Sequence, residues 1–397
     1  MAPHLGNEGS QLVVHVIPSP RGRGAQRVAR VLVDRLNESR PLRHCLLGLF
    51  AGPPEVEIDL DLGHPPGTRP AEGFDPRLAV SLRRVLARLN PAAVVAHGGD
   101  AMKYALAAVI GTGCPLVYCV IGTYAGPATL LHEWAWRRIM ARATLVVAVG
   151  DEVLDECTTR FRVDPQRAVV IPNGRDPAHF RPRAEPMEEA DGSLIFVGAL
   201  TPQKGPDRFV EIVRSLRAEG RSLRATIVGD GPLAGTLAPL AAAHGVELLG
   251  PRSDVADLLR RSDVFVFTSR PTGEGIPGVL IEAGLSGLPV VATRVPGAAA
   301  VLCDGLTGVI VDDSLATMAA AVGELLDHPD RRAAMGRSAR IRCETEFGLD
   351  LMVQRWRAVL EPIVAQAGAA RPGVLTTARP VRAFLRATRP RHRNSRE

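Results

Sequence analysis

The chain has 397 residues, 46% apolar and 23% charged, which excludes a disordered protein and exceeds what one ordinary core takes up, so two domains are expected. Its formal net charge is +6. The C-terminal stretch from Arg371 holds eight arginines against one acid, Glu397; arginine confined to a tail without interleaved aromatics argues against a nucleic-acid binder.

The six cysteines form no CxxC or Cys/His pairing, so neither a disulfide framework nor a zinc site is expected, and a reducing, cytoplasmic setting follows. The first 20 residues lack the charged-then-apolar pattern of a secretory leader. LVVHVI (12–17) then reads as a strand, and AQRVARVLVDRL (25–36) and PRLAVSLRRVLARL (76–89) as amphipathic helices. AAVVAH (92–97), LVYCVI (116–121) and TLVVAV (144–149) read as further strands. The uncharged stretch from Tyr104 to Leu131 has the length of a membrane span, but Gly111, Gly113, Pro115, Gly122, Gly126 and Pro127 divide it into a helix end, a turn and a strand. A polar, proline-rich stretch (174–192) interrupts the rhythm once. LIFVG (194–198), the helix 206–220, ATIVGD (225–230), VFVFTS (264–269) and PVVAT (289–293) resume it. Strands alternating with helices imply parallel sheets covered on both faces. The expected division is a first doubly wound domain 1–178, a linker 179–192 and a second doubly wound domain 193–346. A helix 347–368 then crosses back toward the first domain, followed by a disordered basic tail 369–397.

In open parallel sheets, ligands bind beyond the carboxyl ends of the strands. Lys204, one of two lysines in the chain, falls in such a loop beside a helix start, a place suited to an anion. Gly273, Gly275 and Pro277 keep Glu274 in a loop. Pro277 suits a first helical position, so GVLIEAGLSG is the expected helix, with free amides at Gly278 and Val279 and Glu282 about one turn inside. Two carboxylates flanking an anion-attracting helix terminus suit hydroxyl groups on either side of a diphosphate, which describes a nucleotide sugar.

Other signals carry less. Asp59-Leu60-Asp61 matches the bare DxD of metal-dependent transferases, but no cluster of oxygen ligands accompanies it. Gly22-Arg23-Gly24 lacks the third glycine and the downstream acid of a dinucleotide loop. Arginines 27, 30 and 35 and 83, 84 and 88, with the basic tail, suggest peripheral contact with anionic lipid at the inner face of a membrane.

The second half resembles the retaining GT-B glycosyltransferases of family 4, the glycosyl transferases group 1 type. The resemblance rests on VGALTPQKG (197–205), IVGDGPL (227–233), LLGPRSDV (248–255), SDVFVFTS (262–269), EGIPGVLIEAGLSGLPVVAT (274–293) and GLTGVIV (305–311). The first half matches more loosely through RGRGAQRVARVL (21–32), VVAHGGDAMKYALA (94–107), PLVYCVIGT (115–123) and residues 146–174. The resemblance implies an α/β GT-B fold of two doubly wound Rossmann-like domains facing across a cleft. It implies transfer of a sugar from a nucleotide-diphosphate donor to a hydroxyl acceptor with retained configuration, without metal or other cofactor. It assigns the diphosphate to Lys204 and the amides of Gly278 and Val279, the ribose to Glu282, and the reacting sugar to Glu274 and His97. The loop of Gly22 and Gly24 would close over the diphosphate or the acceptor, and Gly198 and Arg252 complete the donor-binding set. Two departures stand out: the family usually has arginine where this chain has Ala199, and often histidine where it has Ile121. Two alternatives stay open: a nucleotide-sugar epimerase on the same fold and, motivated by these departures, a catalytically silent nucleotide-sugar-binding protein.

Overall fold

The structure, a computed structural model, describes residues 11–22, 24–39, 41–64, 74–124, 129–184, 192–270 and 275–369. The chain forms two compact units, Met1–Ile171 with Val353–Glu397, and Pro172–Met352. The first therefore ends a few residues earlier than the proline-rich stretch suggests, and the chain returns to it within its final helix.

The first unit carries seven strands: β1 Leu12–Ile17, β2 Arg43–Phe50, β3 Leu60–His64, β4 Ala93–His97, β5 Leu116–Val120, β6 Leu145–Ala148 and β7 Ala168–Val170. They form one sheet in the order β3-β2-β1-β4-β5-β6-β7, parallel throughout. Its helices are α1 Gly24–Asn37, α2 Pro76–Leu89, α3 Gly99–Val109, α4 Leu130–Met140 and α5 Asp151–Thr159. Residues 76–89 are helical because both ends are signalled locally. The Asp75 carboxylate accepts from the Arg77 amide at 2.8 Å, Pro76 opens the helix, and Asn90 closes it in the left-handed region at φ 45°. Ala29 and Val33 of α1 pack on Ile17 and Leu46 of the sheet.

The second unit has six parallel strands: β8 Ser193–Val197, β9 Arg224–Val228, β10 Glu247–Leu248, β11 Val264–Phe267, β12 Val290–Thr293 and β13 Gly308–Val311. Their order is β10-β9-β8-β11-β12-β13. The helices are α6 Pro206–Ala218, α7 Ala234–Ala243, α8 Val255–Arg260, α9 Gly278–Leu285, α10 Pro296–Val301, α11 Leu315–Asp327 and α12 Pro329–Phe347; α13, Leu349–Ala369, starts in this unit and ends in the first.

The period of two along each strand divides the second core into two layers. Leu194, Phe196, Val264, Val266, Val291 and Val311 face Phe209, Leu216, Met318 and Val322 of α6 and α11. Ile195, Phe265, Phe267, Val290, Ala292 and Ile310 face Leu259, Leu280, Ile281, Leu285 and Ala298 of α8, α9 and α10. Strands buried on both faces read as continuous apolar runs, which is why most were legible in the sequence. The strands not anticipated are β2, which opens on Arg43 and His44, and the short β3, β7, β10 and β13.

Candidate functional site

In the second unit β8 and β11 are neighbours, but the chain continues from β8 to β9 on one side and from β11 to β12 on the other. A reversal of this kind opens a crevice at the strands' carboxyl ends. The turn after β8 carries Lys204. It is anchored to the end of β11 by the Thr268 hydroxyl, which donates to the carbonyls of Lys204 (3.0 Å) and Gly205 (2.7 Å). Gly205 at φ 63° leads into α6. Lys204 is half-buried, its Nζ 5.9 Å from the centre of the Phe267 ring, so the ammonium leans over the end of β11. Arg270 belongs to the same turn: its amide donates to the Gln203 carbonyl at 2.8 Å and its guanidinium lies 3.2 Å from Asp207.

Gly198 follows β8 and meets the turn after β9. The amide of Gly198 donates to Val228 and that of Leu200 to Asp230. Gly229 sits at φ 143°, and a Cβ there would lie 1.9 Å from the Gly198 carbonyl oxygen. Only glycine fits, so two backbone turns approach without side chains between them. Ala199 is exposed and offers no charge.

Pro277 is the N-cap of α9 rather than its first residue, and Gly278 and Val279 form the helix's first positions. Their amides have no hydrogen-bond partner among the described residues. Glu282 is one turn in and half-buried. Its Oε1 receives the Arg175 Nε at 2.6 Å. Arg175 Nη1 also donates to the Gly174 carbonyl at 3.1 Å. A Cβ at Gly278 would stand 2.0 Å from Arg175 Nη2, so glycine there leaves room for the guanidinium across the helix end. The backbone of Arg175 is fixed at both sides, its amide to Phe347 and its carbonyl to Leu349, each at 2.9 Å. Sequence reasoning missed this arginine. Nothing in IPNGRD marks it, because its partner is 107 residues away.

The other expected residues divide. Glu274 lies outside the described residues. Arg252 follows the edge strand β10 and is exposed, with two nitrogens bonded to Asp254 at 2.7 and 2.8 Å; it is not joined to the Lys204 and Glu282 group. Arg294, after β12, is exposed and bonded to Asp312 at 2.9 Å.

In the first unit, β1 and β4 form the equivalent reversal. The loop after β1 carries Gly22, whose amide donates to Glu55 at 2.8 Å, and Gly24 opens α1. His97 is the last residue of β4 and is buried, 5% exposed. Its Nε2 lies 3.0 Å from His15 Nδ1, and His15 Nε2 lies 3.1 Å from His44 Nδ1. Burial pushes His97 and His44 down to about 4, with the charge of Arg357 adding to the effect at His44. Burial also holds His15 well below its usual value, with the neighbouring imidazoles and Arg30 adding to the effect. All three rings are neutral at pH 7. Ile121 is half-exposed and packs at Gly98, immediately after His97.

Asp59 and Asp61 act within the fold. Asp59 accepts from the Leu46 amide at 2.7 Å and from Arg30 at 3.1 Å, and Asp61 from the Gly63 amide at 2.8 Å. Among the described residues, no group of three or more His, Cys, Asp or Glu is placed to hold a metal ion. Arg30 and Arg35 are paired with nearby acids, and Arg83 donates to the Ile110 carbonyl at 2.8 Å. A different surface stands out on α4, where Leu130, Leu131 and Trp134 are 87%, 75% and 55% exposed and Arg138 stacks on Trp134. Among the described residues no helix is long and apolar enough to cross a membrane.

Two doubly wound parallel sheets, one per unit, are the GT-B fold. An Anabaena HepE structure in complex with UDP and glucose aligns with a TM-score of 0.71 at 18% identity, covering 88% of this chain and 99% of that one. A Rickettsia africae glycosyltransferase aligns at 0.74 and 18%, covering 89% and 99%. The description Glycosyltransferase Family 4 matches residues 22–179, and Glycosyl transferases group 1 matches residues 191–328. The chain belongs to the family 4, group 1 glycosyltransferases. It is 32% identical over 239 residues to a GDP-mannose-dependent alpha-(1-6)-phosphatidylinositol monomannoside mannosyltransferase of Mycolicibacterium smegmatis, covering 53% of this chain and 62% of that relative. It is 27% identical over 256 residues to a D-inositol 3-phosphate glycosyltransferase of Gordonia bronchialis, covering 58% and 56%. The chain thus spans less than two thirds of the length of these curated relatives.

Proposed function

We propose that the protein transfers a glycosyl group from a nucleoside-diphosphate sugar to a hydroxyl acceptor, with retention, in glycan or glycolipid assembly. The observation that carries this reading is the convergence at one sheet reversal of the Lys204 turn and the open amides of α9, with Glu282 one turn behind. A diphosphate placed there meets the Lys204 ammonium and a helix N-terminus, which stabilise the charge developing on the leaving group. The Glu282 carboxylate, held by Arg175, accepts from ribose hydroxyls. The bond from the sugar's anomeric carbon to the phosphate oxygen breaks and the bond to the acceptor oxygen forms on the same face. The acceptor's proton passes to the departing phosphate. Glu274 and His97 are assigned to orienting the sugar, as the family resemblance implies, and no metal or cofactor enters the scheme. The complex of HepE with UDP and glucose, and the inositol-phosphate and phosphatidylinositol-mannoside names among the relatives, support a nucleotide-sugar donor and a polar or lipid-bearing acceptor.

The exposed Leu130, Leu131, Trp134 and Arg138 favour peripheral contact with anionic lipid at the cytoplasmic face. Vesicle flotation of the wild type and of Leu131→Ser/Trp134→Ser tests this; equal binding by both removes α4 from the scheme.

The central test is a thermal-shift screen of nucleoside diphosphates and their sugars, followed by mass analysis of products formed from the best donor. Binding that is lost in Lys204→Ala, together with transfer or slow hydrolysis, supports the reading. A released epimerised donor would make the protein an epimerase. Binding without consumption would make it a silent binder, and no nucleotide binding at all removes the proposal.

A further inference from the structure

The three buried histidines form one chain across three adjacent strands. In the sheet, His15 of β1 stands opposite Leu46 of β2 and Val95 of β4. His44 and His97 are each two residues from those partners, in opposite directions, so all three rings share one face and line up on a diagonal. The diagonal starts near the amino end of β2 and ends at the carboxyl end of β4, beside the sheet reversal. On the same face α1 supplies Arg30, bonded to Asp34 and Asp59, and α13 supplies Trp356, 6.1 Å from the His97 ring, and Arg357. Arg357 and His44 line a common small pocket with Leu36 and Leu360.

A neutral imidazole has one N–H and one bare nitrogen. His15 uses both ring nitrogens, so it donates at one and accepts at the other. The chain therefore has two self-consistent proton arrangements. In one, His44 Nδ1–H donates to His15 Nε2 and His15 Nδ1–H donates to His97 Nε2. His97 then carries its hydrogen on Nδ1, and His44 keeps a bare Nε2. In the other, every donor and acceptor is exchanged. The guanidinium of Arg357 beside His44 attracts a lone pair and repels an N–H, so it selects the first. His97 Nδ1 has no partner among the described residues.

We propose that Arg357, His44 and His15 are positioning residues that hold His97 in its Nδ1–H tautomer, making it a fixed hydrogen-bond donor at the carboxyl end of β4, for an oxygen of a ligand that binds at the sheet reversal of the first unit. The nature of that oxygen rests on the glycosyltransferase reading; the tautomer does not. A donor fixed before the ligand arrives needs no reorganisation as charge shifts during transfer.

The test is long-range proton–nitrogen NMR of the full chain labelled with 15N-histidine, at pH 7.5, on the wild type, Arg357→Met and His44→Phe. Arg357→Met leaves all three rings and most of the packed stem in place, so it reports even if His44→Phe does not fold. The expected result is Nδ1–H on His97 in the wild type and a mixture of tautomers in Arg357→Met. An Nε2–H His97 in the wild type, or a tautomer unmoved by Arg357→Met, overturns the proposal. Where a donor is turned over, Arg357→Met is expected to lower kcat several-fold with KM and nucleoside-diphosphate affinity unchanged. Loss of nucleotide binding in the wild type would instead count against the glycosyltransferase reading and leave the NMR result standing.

Discussion

Lowering the pH from 7.5 to 5 should unfold the first unit ahead of the second, because its three buried imidazoles resist protonation. In the unfolded chain each titrates near 6.5, whereas in the fold His44 and His97 are held at about 4 and His15 well below its usual value. Above 6.5 both states are neutral and the histidines contribute nothing to the pH dependence. As pH falls from 6.5 toward 4, the unfolded chain binds protons that the folded chain refuses, so stability is lost in that window. At pH 5 the loss is about 2 kcal/mol each for His44 and His97 by linkage, about 4 kcal/mol together, and His15 adds to it in the same direction. That is comparable to the whole stability of a typical domain, about 5–15 kcal/mol. The assay is urea unfolding followed by tryptophan fluorescence, since Trp134, Trp136 and Trp356 all lie in the first unit. The urea midpoint should fall steeply between pH 6.5 and 5, and His44→Phe should remove its own share of the fall, about 2 kcal/mol at pH 5. A midpoint that stays level over this range, or falls equally in His44→Phe, refutes the reasoning.

Three further outcomes are expected. Lys204→Ala and Glu282→Ala should each weaken nucleoside-diphosphate binding about 10- to 100-fold in calorimetry, the loss of one charge-assisted hydrogen bond, while the melting of the unligated protein changes little. Gly278→Ala places a Cβ 2.0 Å from Arg175 Nη2; the flexible guanidinium must withdraw, so nucleotide affinity should change more than stability, and equal stability with unaltered affinity would show that Arg175 does not serve the site. Gly229→Ala meets the Gly198 carbonyl oxygen at 1.9 Å with φ at 143°; rigid backbone cannot yield, and a loss of about 2–4 kcal/mol in the second unit's unfolding is expected.

The sequence alone determined the alternation of elements, because strands covered on both faces appear as unbroken valine-rich runs and helices carry their own start and stop signals. Residues 76–89 are bounded by Asp75, Pro76 and Asn90, all local. It also pointed to Lys204, Gly278, Val279 and Glu282, since a loop lysine and a proline-led helix start are read within a few residues. Local order does not say which strand lies beside which. Only the tertiary structure, by placing β8 beside β11, brought the Lys204 turn to the end of β11, the strand that precedes α9. It alone joined Arg175 to Glu282 and lined up His15, His44 and His97 from three strands, because hydrogen bonds between side chains so distant in sequence leave no periodic trace along the chain.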